Sequence, residues 1–184
     1  MGFHHVALAT HDAAAIHDFY TEAMGFELVK TVVTETPTGG WSRHIFYDTP
    51  GGGGLMAFWD IHDDTIRTDF PVGMSDAVGL PWWVNHLAYD CDMDDLETAK
   101  KRWLAWGTEV LQVDHEFCVS IYTFDPDGNT VEWCADRRPF TPEEHTRALA
   151  DLFADAPVID EAKAPDGFFK PDTYNDKACR FPRA

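Results

Sequence analysis

Two stretches of the chain repeat each other, and the repeat constrains the fold more than any other feature. Residues 4–29 read "HHVALATHDAAAIHDFYTEAMGFELV" and residues 85–111 read "NHLAYDCDMDDLETAKKRWLAWGTEVL". Each opens on His, an apolar residue and Ala: His5-Val6-Ala7 and His86-Leu87-Ala88. Each closes on a bulky residue, Gly, one residue and Glu: Met24-Gly25-Phe26-Glu27 and Trp106-Gly107-Thr108-Glu109. Two copies are too few for a solenoid, which needs three or more stacked units. The chain therefore reads as two related modules, 1–60 and 83–136, joined by a linker over 61–82.

Within each copy the apolar spacing changes from period two to helical and back. Ile16, Phe19, Tyr20, Ala23 and Met24 share one helical face, predicting a helix from about Asp12 to Met24 that Gly25 stops. Leu96, Ala99, Trp103 and Trp106 predict its counterpart from about Asp94 to Trp106. Strands are expected at 26–34, 42–48 and 54–60 in the first module. The second should have them at 108–113, 117–124 and 130–135, the last following the turn "DPDGN". Each module is then β-α-β-β-β, an α+β architecture. Past Asp136, Thr141 and Glu144 form a capping box with Pro142 in the first turn, so a helix is expected over 142–153. Residues 155–184 contain four prolines and read as an irregular arm.

Period-two geometry puts His5, Ala7 and Ala9 on one face of the first strand and Val6 and Leu8 on the other. His86, Ala88 and Asp90 repeat this against Leu87 and Tyr89. Small neighbours beside each histidine leave room for something other than a side chain. In the last strand, Thr130, Glu132 and Cys134 share a face, and a glutamate in a strand is unusual enough to need a reason. Matching "GGLMAF" to "GNTVEW" sets Ala57 where the second copy has Glu132. His5, His86 and Glu132 are therefore the candidate metal ligands. Two imidazoles and a carboxylate with open positions suit Fe(II) or Mn(II), with Zn(II) or Ni(II) as lesser alternatives. His4 is expected on the helix side, His62 in the linker, and His17 and His145 on helices.

Charge excludes some partners. The chain has 184 residues and a formal net charge of −18, from 32 acidic and 14 basic residues. Such a surface repels nucleic acid and anionic membranes. The four cysteines, Cys91, Cys118, Cys134 and Cys179, show no CxxC pairing and read as reduced thiols. The opening "MGFHHVALAT" has no basic region followed by an apolar run, so a cytoplasmic protein is expected.

The stretches "HHVAL…FYTEAMGFELV", "NHLAYDCDMDDLETAKKRWLAWGTEVL" and "SIYTFDPDGNTVEWC" resemble the vicinal oxygen chelate superfamily. That group includes glyoxalases, bleomycin-resistance proteins, methylmalonyl-CoA epimerase and extradiol dioxygenases. The resemblance covers residues 3–136. It implies paired βαβββ modules whose eight strands curl into an open funnel around a divalent metal held by His5, His86 and Glu132. Glyoxalase-like members carry a fourth ligand late in module one, where this chain has Ala57. Extradiol dioxygenases use a His, His, Glu triad and a tyrosine ten residues before the Glu, the position of Tyr122. They carry a histidine shortly before that tyrosine, and His115 is a near match with shifted spacing. Their further acid–base histidine late in module one has no counterpart here, although His44 stands on the preceding strand. The resemblance thus implies first a metal-dependent oxygenase acting on a small oxygen-chelating substrate, with Tyr122 and His115 catalytic. A glyoxalase-type lyase or isomerase and a non-catalytic binding protein are the alternatives. A homodimer is expected.

Overall fold

The computed structural model describes residues 3–67, 69–156 and 165–182. Strand β1 (His5–Thr10) leads into helix α1 (Ala13–Asp18), which Asp12 caps by accepting from the Ala15 amide. The predicted first helix does not stay α-helical. From Phe19 to Ala23 it widens into a π turn, closed by the Met24 amide donating to the Phe19 carbonyl at 2.9 Å. The Thr21 hydroxyl donates back to the His17 carbonyl at 2.7 Å, a local bond that competes with the regular ladder. The wider turn lets Phe19, Tyr20, Ala23 and Met24 all lie in the core.

Strands β2 (Glu27–Glu35), β3 (Trp41–Asp48) and β4 (Leu55–His62) complete the first module. The first sheet has the order β1-β4-β3-β2, with β1 parallel to β4 and the other pairs antiparallel. The second module repeats it: β5 (His86–Cys91), α2 (Met93–Trp106), β6 (Val110–Asp114), β7 (Cys118–Phe124) and β8 (Thr130–Asp136). Gly107 ends α2 at φ +100°, a left-handed conformation that glycine adopts without strain. The arm is less irregular than its prolines suggest. Strand β9 (Gly167–Phe169) pairs antiparallel with β6, giving a second sheet of order β5-β8-β7-β6-β9. The predicted capped helix is α3 (Pro142–Phe153), with both bonds of the Thr141–Glu144 box formed. Part of the arm, 157–164, lies outside the described residues.

The α+β architecture of paired βαβββ modules is as the repeat predicts. The eight module strands form two separate sheets, extended by β9, rather than one continuous surface, and neither sheet closes into a barrel. One apolar core binds the modules together. Phe19 and Tyr20 of the first module pack with Trp103, Trp106, Val131 and Trp133 of the second. Phe19 meets Trp106 edge-on with ring centroids 5.2 Å apart, and Phe26 meets Tyr89 at 5.1 Å. A polar clasp reinforces this seam. The Tyr20 hydroxyl donates to Asp125 at 3.3 Å, and Asp125 also accepts from the Asn129 amide at 2.8 Å and the Asn129 side chain at 2.9 Å. The "DPDGN" turn is therefore an anchor between modules as well as a chain reversal. Wholly buried, the Asp125 carboxyl has its pKa pushed up to about 7 by desolvation, against the downward pull of its Asn129 hydrogen bonds.

Candidate functional site

Val6, Leu8, Leu87 and Tyr89 pack against the core, and the candidate residues lie on the other faces of the two sheets. In the first sheet Ala7 is paired with Ala57. In the second Ala88 is paired with Glu132, and Glu132 in turn with Tyr122. The two pairings confirm that Ala57 and Glu132 occupy equivalent positions. One face of the second sheet thus carries successive rungs: His86, Thr130 and Phe124; Ala88, Glu132 and Tyr122; Asp90, Cys134 and Ser120.

Glu132 is 5% exposed, and a carboxylate so buried requires a partner. The partner is His86, whose Nε2 lies 3.1 Å from Glu132 Oε2. Tyr122 borders the pair, its ring centroid 6.3 Å from that of His86. Burial and then the Glu132 carboxylate push the Tyr122 phenol well above its ordinary value, although the Ser120 hydroxyl pulls the other way. Tyr122 is therefore a protonated hydrogen-bonding group at neutral pH. Its hydroxyl lies 3.0 Å from His115 Nε2. The shifted spacing of His115 is absorbed by the β6–β7 turn, where Glu116 adopts φ +75°.

His5 stands apart from this group. It is exposed at the start of β1, with its Nδ1 2.8 Å from that of His4. Its ring lies 5.9 Å from His44 and 5.7 Å from Phe46, all on the first sheet. Among the described residues no three His, Cys, Asp or Glu side chains are grouped closely enough to hold a metal ion. The donor set present fits a divalent metal in kind and in part: one imidazole and one carboxylate converge, and the third proposed ligand lies on the other module. A cleft of about 510 Å³ opens beside β5, lined by Val6, Leu55 and Met56 of the first module and by His86, Leu87 and Tyr89 of the second; Glu132, Tyr122, His115 and His5 do not line it.

Other histidines have local roles. His62 stacks on Trp41 at 3.9 Å and reaches Asp60 at 3.0 Å. His17 lies 3.3 Å from the Tyr47 hydroxyl. His44 stacks on Trp59 at 3.9 Å, and its Nε2 is buried with no hydrogen-bond partner among the described residues. Burial, and then His5, lower the His44 pKa, so this ring is neutral at physiological pH. Sequence reasoning missed Phe181, which lies against Phe124 on the site face. No local pattern marks a residue so near the end of a proline-rich arm.

The fold is that of a protein of two βαβββ modules. The sequence profile of the Glyoxalase/Bleomycin resistance protein/Dioxygenase superfamily matches residues 2–133, and the chain belongs to that family. No curated protein matches it in sequence. Among solved structures it is similar to a putative dioxygenase from Bacillus subtilis subsp. subtilis str. 168, at 20% identity and a TM-score of 0.55, over 73% of this chain and 40% of that one. It is also similar to TnmS3, an antibiotic binding protein from Streptomyces sp. CB03234, at 18% identity and 0.51, over 74% and 96%. A third is a mutant of the fosfomycin resistance protein FosX from Listeria monocytogenes, complexed with Mn(II), at 17% and 0.50, over 79% and 97%. These likenesses share the fold and differ in activity, so function has to be argued from the site.

Proposed function

We propose that this chain is a divalent-metal-dependent oxygenase of the extradiol type, acting on a small substrate that presents two adjacent oxygens. The observation that carries the reading is the grouping of His86, Glu132, Tyr122 and His115 on one sheet face. His86 and Glu132 would hold Fe(II) or Mn(II), with His5 as third ligand. When bound, the metal would supply charge stabilisation to oxygen ligands and one-electron chemistry. The Mn(II) complex of the FosX mutant supports a divalent ion in this fold.

The chain's own groups supply positioning and proton handling. The Tyr122 hydroxyl, protonated and half-buried, can donate to a substrate oxygen as negative charge develops there. His115, hydrogen-bonded to that hydroxyl, can relay a proton between Tyr122 and solvent. His44 lies on the same sheet as His5, but its Nε2 is covered, so the ring is placed to support the first sheet rather than to serve as a base. Bringing His5 to the His86–Glu132 pair requires the first sheet to close on the second, within one chain or across a homodimer. We favour the homodimer, because β2 is exposed along its whole length, Leu28, Val29, Val32 and Val33 included. A cytoplasmic location is part of the same reading; among the described residues no helix is long and apolar enough to cross a membrane.

The deciding experiment is metal titration followed by oxygen-consumption assays with catechol, run aerobically and anaerobically. Oxygen uptake that depends on Fe(II) or Mn(II) and on His86 and Glu132 is expected. Metal-dependent isomerisation of a 2-oxoaldehyde hemithioacetal to an α-hydroxythioester without oxygen would instead establish the lyase alternative.

A further inference from the structure

The C-terminal arm returns to the face that carries the site, and it does so beyond the residues that match the family. We infer that its Phe181, together with Trp82 and Phe124, walls off one end of the site and limits the length of apolar substituent a substrate can carry. The inference rests on the site reading given above and names the residue that would select among its substrates.

The geometry is direct. Phe124 shares a rung with Thr130 and His86, one step along β7 from Tyr122. Same-face neighbours in a strand are about 7 Å apart, so the wall stands within about one ring's width of the Tyr122 hydroxyl-bearing rung. Phe181 is 7% exposed and packs on Phe124 at 4.7 Å and on Trp82 at 5.1 Å, ring centroid to centroid. Tyr122 itself packs against this cluster. Trp82 is fixed from the site side, because the Thr130 hydroxyl donates to its carbonyl at 2.7 Å.

The arm is held well enough to act as a wall. The Asn175 amide donates to the Gly107 carbonyl at 3.0 Å, and the Tyr174 hydroxyl donates to Glu109 at 2.6 Å. Lys177 pairs with Asp18 of the first module at 3.1 Å. The opposite end of the same face is polar, formed by Asp90, Cys134 and Ser120. A substrate with its oxygens at the Glu132–Tyr122 rung therefore meets aromatic surface at one end only. The wall would then admit a single-ring vicinal diol and exclude a second ring directed at Phe181.

The test uses Mn(II)-loaded protein without oxygen, with binding read by displacement of the chromophore 4-nitrocatechol. Catechol is expected to displace it, and 3-phenylcatechol to do so poorly. Phe181→Ala should improve 3-phenylcatechol by at least about tenfold while catechol stays within about twofold. Phe181→Val, which retains part of the side chain, should give an intermediate gain and guards against misfolding of the larger truncation. Unchanged discrimination in both variants, with catechol binding intact, would overturn the wall. Failure of any catechol to bind Mn(II)-loaded wild-type protein would overturn the site reading and the wall with it.

Discussion

His86 and Glu132 face one another across the β5–β8 pairing at 3.1 Å, although they sit on different rungs of the sheet. His86 is paired with Thr130 and Glu132 with Ala88, so the two side chains must lean toward each other along the strands. Glu132 is nearly inaccessible and His86 is about one-third exposed on its side chain. The arrangement leaves the imidazole accessible and the carboxylate behind it.

Removing either member should therefore have two separable effects. His86→Ala leaves Glu132 buried without its partner and should cost about 1–3 kcal/mol of stability. It should also weaken Mn(II) binding by more than about 100-fold, since loss of an outer-shell partner alone costs up to that much. His5→Ala is the sharper probe. His5 is exposed, so its removal should change stability by less than about 0.5 kcal/mol. A fall in Mn(II) affinity comparable to that of His86→Ala would make His5 the third ligand. Isothermal titration of the three proteins decides the matter, and an unaltered His5→Ala titration would leave the ion on His86 and Glu132 alone.

Asp125 predicts a pH dependence of the joint between modules. Its carboxyl titrates near 7 in the fold, above the ordinary 3.8, because of burial. A folded value above the unfolded one means that protonation favours the fold. That contribution is complete below about pH 4 and is lost as the pH rises through 7. Melting temperature should therefore fall between about pH 4 and pH 7 and level off above that range. Asp125→Asn should flatten this slope, at a cost of about 1–3 kcal/mol because the amide cannot accept from all the donors that surround it. An equal slope in wild type and variant would assign the dependence to other groups.

Much of this site is legible in the sequence, for local reasons. Glu132 and His86 follow from period-two strands set by the "DPDGN" turn and by the repeat, both short-range signals, whereas Tyr122 is marked only by the family resemblance. Ala57 could be matched to Glu132 because the copies are in register with each other. The distance of His5 from that group is not a local property. It depends on how the two modules pack, through contacts such as Phe26 with Tyr89 and Trp133, and no spacing within either copy encodes that packing. The π turn escaped for a similar reason, since helical periodicity looks alike whether or not one turn is widened. Strand β9 is three residues long and forms only because the edge of β6 is there to receive it.

The charge balance predicts a response to salt. A formal charge of −18 on 184 residues repels itself over the surface. Raising KCl from about 0.1 M to 1 M shortens the screening length from about 10 Å to about 3 Å. Relief of that repulsion should raise the melting temperature by on the order of 5 °C, equivalent to roughly 1–2 kcal/mol for a chain of this size. Calorimetry in KCl and in sodium chloride at equal ionic strength should agree if screening is the cause. A response to one salt alone would point to specific ion binding.

Tyr122 carries the most specific catalytic expectation. Its hydroxyl is 3.0 Å from His115, its ring borders His86, and its pKa is held up by burial and by Glu132. A protonated phenol in that position can hydrogen-bond a substrate oxygen more strongly as charge builds on it. Loss of one such donor costs roughly 3–4 kcal/mol, or about 100–1,000-fold in rate. Tyr122→Phe keeps the ring against Leu111, Phe124 and Phe181, so fold and metal content should be preserved. The turnover number should fall and substrate affinity should move little, because the interaction belongs to the transition state. A purely structural Tyr122 would behave differently: the variant would turn over normally and lose at most about 1–2 kcal/mol from the missing bond to His115. His115→Ala adds a second axis. If His115 relays the proton, its loss should slow turnover and make the rate depend on added imidazole, which can enter from solvent. Steady-state kinetics on the two variants, with and without imidazole, separate a proton relay from a packing contact, and normal turnover in Tyr122→Phe would end its catalytic assignment.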